Sequence, residues 1–202
     1  MFDYHGEPNN YESILTDLLS LLFTRDDWTF AERLGASATE GLVRLPFFGK
    51  DCTVRPEGVF QGETRLEAIP SIVVVRYLLE AGDDRLLNIW VPFRDLKDGA
   101  QMGSYVQSKI EDRIARHCGG KKDLLEQRLR ALGGNVYRTG SSPDLAVALQ
   151  PFPRIPVLTL FWDRDEEFAG TFQFLLDKSA RSFLDIESLA GLLDYIRLKI
   201  EE

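Results

Sequence analysis

The stretch Ile155–Phe168 constrains this chain more than any other. Pro156–Trp162 is an apolar run of strand length, and it ends at once in Asp163, Asp165, Glu166 and Glu167, four acids within five positions. A run of that kind reads as a buried strand. A buried strand that stops in carboxylates delivers negative charge to one defined place. Such acids can bind a cation, orient an arginine or act as acid and base.

The chain around this strand alternates helices and strands. Asn10 predicts the cap of a helix over 11–23, with residues 1–9 as a tail. Leu15, Leu18, Leu19 and Leu22 follow helical spacing there. A short helix is expected near 28–34, stopped by Gly35. Strand character follows over 39–47 and 51–55 with a turn at 47–51, and Gly58 and Gly62 mark further turns of a meander. Residues 71–81 are rich in valine, which favours a strand. Pro70 at the start, Gly82 past the end and the length favour a buried helix. A strand is expected over 88–93, with Pro92 at its edge or end, and helices over 104–117 and 123–132, each closed by a glycine pair. Residues 136–138, 145–149 and 156–162 read as strands. Residues 171–176 fit a strand or a helix start, and Asp185 caps a last helix. Strands come in adjacent pairs, so the expected class is α+β: a mainly antiparallel sheet flanked by helices, one domain over 10–202.

Composition narrows the function. A net charge of −8 disfavours nucleic acid and anionic membrane as partners. A small molecule or a partner protein is the expectation. No apolar run reaches the length of a membrane span, and the acidic start lacks the features of a secretory signal, so a cytoplasmic location is expected. Cys52 and Cys118 are too few for a disulfide framework, though a single bridge between them stays open.

No phosphate-binding glycine loop is present, since both glycine pairs follow helices. His5 and His117 are the only histidines, which excludes a three-histidine metal site. His117 ends a helix, where a capping role is favoured over metal binding. The candidate site therefore rests on two groups. One is the acidic turn, Asp163, Asp165, Glu166 and Glu167, with Asp177 as a further acid. The other is Trp90 with Arg94, a flat apolar wall beside an anion clamp. An equal reading of the acids is a solvated turn, and of the two groups a buried ion-pair network. Three functions stay open: a ligand-binding or accessory protein, an enzyme using paired carboxylates, and an interaction domain.

Residues 75–81, 90–100, 132–134, 153–168, 176–180 and 183–190 carry a resemblance. They are similar to a family known as a domain of unknown function, from mostly anaerobic bacteria and archaea. The resemblance spans residues 40–198. Some of its members carry an N-terminal four-cysteine iron–sulfur domain like that of corrinoid proteins, and no such cysteines occur in this sequence. It implies the fold and a link to metallocofactor or corrinoid metabolism, and no defined activity or cofactor. Arg76, Arg164 and Ala169 stand where relatives tend to have histidine, glycine and proline.

Overall fold

The computed structural model describes residues 8–39, 41–138 and 143–202, the side chains of 8 and 9 excepted. The expected tail thus lies, for residues 1–7, outside the described residues. Helix α1 begins earlier than the capping signal predicts and covers Pro8–Phe23. A proline in the first turn has no helical N–H to lose and carries a φ already suited to the helix. Asn10 therefore lies inside the helix.

A short α2, Phe30–Arg33, leads into the first sheet. That sheet is a meander of five antiparallel strands in chain order: β1 Ser37–Thr39, β2 Leu42–Phe47, β3 Lys50–Arg55, β4 Gly58–Gln61 and β5 Thr64–Arg65. The β2–β3 hairpin turns on Phe48 and Gly49, both at positive φ (52° and 70°). Such a turn matches the twist of the strands it joins. A phenylalanine there is strained. Burial offsets the strain: Phe48 packs on Phe47 and Tyr195, and its N–H donates to Pro151 O at 3.0 Å.

Helix α3 covers Ala68–Glu80 and settles the valine-rich run as a helix. Ser71–Val75, Tyr77 and Leu78 are all buried. Burial on nearly every side outweighs the modest helix penalty of β-branching. α1 and the last helix α7, Ile186–Glu201, pack against it. As expected, the Asp185 carboxylate caps α7, accepting from Ser188 N–H at 2.9 Å.

The antiparallel sheet is divided in two. The second sheet has the order β6-β10-β9-β8-β7, from β6 Trp90–Pro92, β7 Asn135–Val136, β8 Leu145–Phe152, β9 Ile155–Trp162 and β10 Thr171–Asp177. Residues 171–176 are thus strand. One long helical stretch and one shorter helix cover one face of this sheet. The first runs through α4 Ala100–Tyr105, a π-helical turn Val106–Glu111 and α5 Asp112–Cys118; the second is α6 Lys122–Ala131. The two sheets share one apolar core. Phe47 of β2, Phe152 of β8 and Tyr77 of α3 meet there, with ring centres 4.3–5.0 Å apart. Cys52 and Cys118 are free and buried; burial pushes their thiols up to about 12 and about 11. No described helix is long and apolar enough to cross a membrane.

Candidate functional site

The short strand β6 creates the site. It pairs with β10 only through Leu175, Leu176 and Asp177. Antiparallel strands alternate positions that exchange hydrogen bonds with positions that do not. Pro92, which has no N–H, stands opposite Leu175, while Val91 stands opposite Leu176. Phe174 N–H points to the β6 side, because a residue there binds it, so Leu176 points the same way. Pro92 therefore occupies a position that needs no N–H. Beyond it the chain leaves the sheet in the 3-10 turn Phe93–Asp95, and the edge of β10 from Thr171 to Phe174 has no strand partner.

Glu111 fills part of that gap. Its Oε1 accepts the Phe174 N–H at 2.7 Å. The π-helical turn, which ends at Glu111, makes this reach possible. Val106, Ile110, Ile114 and Cys118 are all buried and recur every four residues. A regular α-helix would rotate that row by about 40° at each step. One wider turn takes up the drift, and such turns recur at functional sites.

A cleft of about 230 Å³ lies over the open edge. Arg94, Gln107, Glu111, Trp162 and Gln173 line it. Gly103 lets the helix approach: a Cβ there would stand 2.8 Å from Arg94 Cβ. Burial pushes the Glu111 carboxyl up to about 7; the Phe174 N–H and the Arg94 charge work against burial, and Asp112 works with it. Arg94 has an exposed side chain whose nearest acid partner is Asp95 at 3.9 Å. The cleft thus offers a cation, a carboxyl that changes charge near neutrality, two amides and an indole wall. Proton transfer and hydrogen bonding to a small polar molecule are both within its chemistry.

Of the residues singled out in the sequence, Arg94 lines this cleft, with Trp162 rather than Trp90 as its tryptophan. Trp90 packs instead on the outward face of the second sheet, with Leu158, Leu160 and Leu175. The acidic turn and Arg94 form no ion pair with each other among the described residues. Asp163 Oδ1 accepts from Gly120 N–H at 2.6 Å and Arg164 N–H at 2.8 Å. Asp165 Oδ1 accepts from Phe168 and Glu167 N–H, and those two bonds hold its carboxyl below the usual range. Glu166 and Glu167 are exposed. Asp177 is buried and organises the loop before β6, accepting from Leu87 N–H at 3.1 Å and Ser179 N–H at 2.9 Å. Burial opposes its charge, but the Ser179 hydroxyl and these N–H groups outweigh it and keep the carboxyl low. Among the described residues no three His, Cys, Asp or Glu side chains converge as a metal-binding group.

The turn geometry leads to a test. Asp165→Asn with Glu166→Gln should leave the urea midpoint unchanged within error, since exposed turn charges contribute little and four acids repel one another. A drop in midpoint as large as that of a core truncation would refute this.

Comparison with curated proteins and with solved structures returns no match. The family model described as Domain of unknown function (DUF3786) matches residues 28–198, and the chain belongs to that family.

Proposed function

We propose that this chain is a cytoplasmic small-molecule-binding protein whose ligand sits in the cleft over the open edge of β10. The observation that supports this reading is the meeting of Arg94 and Glu111 on a 230 Å³ space beside Trp162. Arg94 takes a carboxylate or phosphate group, Trp162 packs against the ligand body, and Glu111 with Gln107 and Gln173 reads its polar groups. The volume suits a small metabolite and is too little for a whole tetrapyrrole. An accessory role in metallocofactor or corrinoid metabolism would then act through a small precursor or fragment. Glu111 titrates near neutrality, so turnover of a bound ligand would extend the reading from binding to acid–base catalysis.

The test is a calorimetric screen of small carboxylates and phosphate esters at pH 6 and pH 8. A ligand of this cleft should lose at least tenfold in affinity on Arg94→Ala. Glu111→Gln should remove the pH dependence of its binding. Ligands that bind both variants as the parent does would place the site elsewhere and end this reading.

A further inference from the structure

A second depression, of about 570 Å³, lies at the Trp90–Asp177 end of the β6–β10 pair, away from the cleft beyond Pro92. Four cations line it, Arg85, Lys97, Lys178 and Arg181, and one acid, Asp84. In a chain of net charge −8 this gathering runs against the overall balance. The cations are not neutralised by neighbours. Among the described residues Arg85, Lys97 and Lys178 make no ion pair, and Arg181 makes one long pair, 3.6 Å from Nε to Asp98 Oδ2. That distance is too great for a hydrogen bond. The same Nε is shielded from water and has no hydrogen-bond partner. Other nearby acids are engaged already. Asp83 pairs with Arg33, and the Asp177 carboxylate accepts from N–H groups and the Ser179 hydroxyl. A concave surface lined by one sign of charge focuses the field and concentrates the opposite ion.

The cations stand on a fixed frame. Residues 81–89 join α3 to β6 with neither helix nor strand. Hydrogen bonds still tie this connection along its length. Gly82 N–H donates to Ser182 O at 2.8 Å, Arg154 Nη1 to Asp84 O at 2.9 Å, and Lys178 N–H to Ile89 O at 2.8 Å. Asp177 is the central tie. Its one buried carboxylate holds Leu87 of the connection and Ser179 of the turn that carries Lys178 and Arg181. The spacing of the cations on both segments is thus largely set in advance, which lowers the ordering cost of binding. Leu87, 52% exposed, adds an apolar patch to the lining.

Charge selects the ligand. A lone carboxylate brings one charge to four cations. A phosphoryl group brings up to about two, with oxygens that match both arginine forks and lysine point charges. The volume is that of a small-molecule site. A nucleic acid would meet a chain of net charge −8 outside this one patch. We infer that the depression binds a small soluble molecule bearing two or more phosphoryl groups, held by Arg85, Lys97, Lys178 and Arg181, with Leu87 against its apolar part. Asp177 is then a positioning residue for this second site, independent of the Arg94 cleft.

The probe is inorganic tripolyphosphate, titrated calorimetrically into the full chain in metal-free buffer; inorganic phosphate, citrate and a single-stranded oligothymidylate are the comparisons. Tripolyphosphate should bind one-to-one, weaken as salt rises, and bind at least tenfold tighter than phosphate or citrate. Lys97→Gln and Lys178→Gln are exposed changes that break no ion pair among the described residues. Each should weaken binding at least fivefold without lowering the urea midpoint, and the double change should abolish it. Arg94→Ala should leave binding unchanged, which separates this site from the cleft. So should Lys50→Gln, in a larger cavity of about 690 Å³ where Asp51 and Glu202 accompany the cations. Absence of binding, citrate or phosphate binding as tightly, or indifference to both lysine changes would overturn the proposal. So would tighter binding of the oligonucleotide, or a fall in urea midpoint showing that the lysines serve the fold.

Discussion

Replacing Arg197 by Met should destabilise the protein by about 3–5 kcal/mol, read as a fall in urea-denaturation stability at pH 7. Arg197 is 6% exposed on α7, and its Nε donates to Asp194 Oδ1 at 2.6 Å while its Nη1 donates to Glu201. Asp194 is itself only 7% exposed. Methionine keeps much of the volume but leaves that carboxylate buried without its cation. Glu201 is protected, because Arg113 also bonds it at 3.0 Å. The double change Arg197→Met with Asp194→Leu should therefore recover most of the loss, since apolar packing can replace a buried pair at little cost. A single change costing under about 1 kcal/mol would mean that water reaches Asp194 and that the pair adds little.

The second large effect is a dependence on pH. Glu111 is pushed up to about 7 in the folded protein, from an ordinary value of 4.5. The unfolded chain therefore releases this proton at lower pH than the folded one. Below about pH 4.5 both states hold it, and Glu111 makes no difference to stability. As pH rises from 4.5 to 7 the unfolded state is favoured, and above 7 the loss is complete. Its size is on the order of 3 kcal/mol. Glu111→Gln cannot ionise, and its Oε1 can still accept the Phe174 N–H. The variant should match the parent near pH 4.5 and exceed it by about 2–3 kcal/mol at pH 8 in paired urea titrations. A constant difference between the two across this range would show that Glu111 is not desolvated in the folded state. Gain of stability on removing a cleft carboxyl is the pattern expected where a site is kept at the expense of the fold.

The sequence by itself determined what depends on neighbours along the chain. Glycines placed the hairpins of the first sheet, the Asp185 cap opened α7, and Pro70 and Gly82 marked α3 as a helix against the strand preference of its valines, although it starts two residues before Pro70, at Ala68. The family, too, was legible in motifs spread along the chain. Arg94, which lines the cleft, was legible as a candidate because a strand ends just before it. Glu111 was not. It lies in the middle of a helical stretch, where an acid usually means a solvated face. The four-residue spacing of Val106, Ile110, Ile114 and Cys118 was the one local sign of the wider turn that carries it inward. Only the tertiary structure decided that the sheet splits in two and that β6 leaves the edge of β10 from Thr171 to Phe174 without a strand partner. The same packing turns Trp162 and Trp90 onto the outward face of the second sheet, and of the two Trp162 also lines the cleft. Periodicity tells that a strand is apolar on both faces. Which face a helix covers, and which edge goes unpaired, depends on elements distant in sequence, and there burial and the demand of each N–H for a partner make the choice.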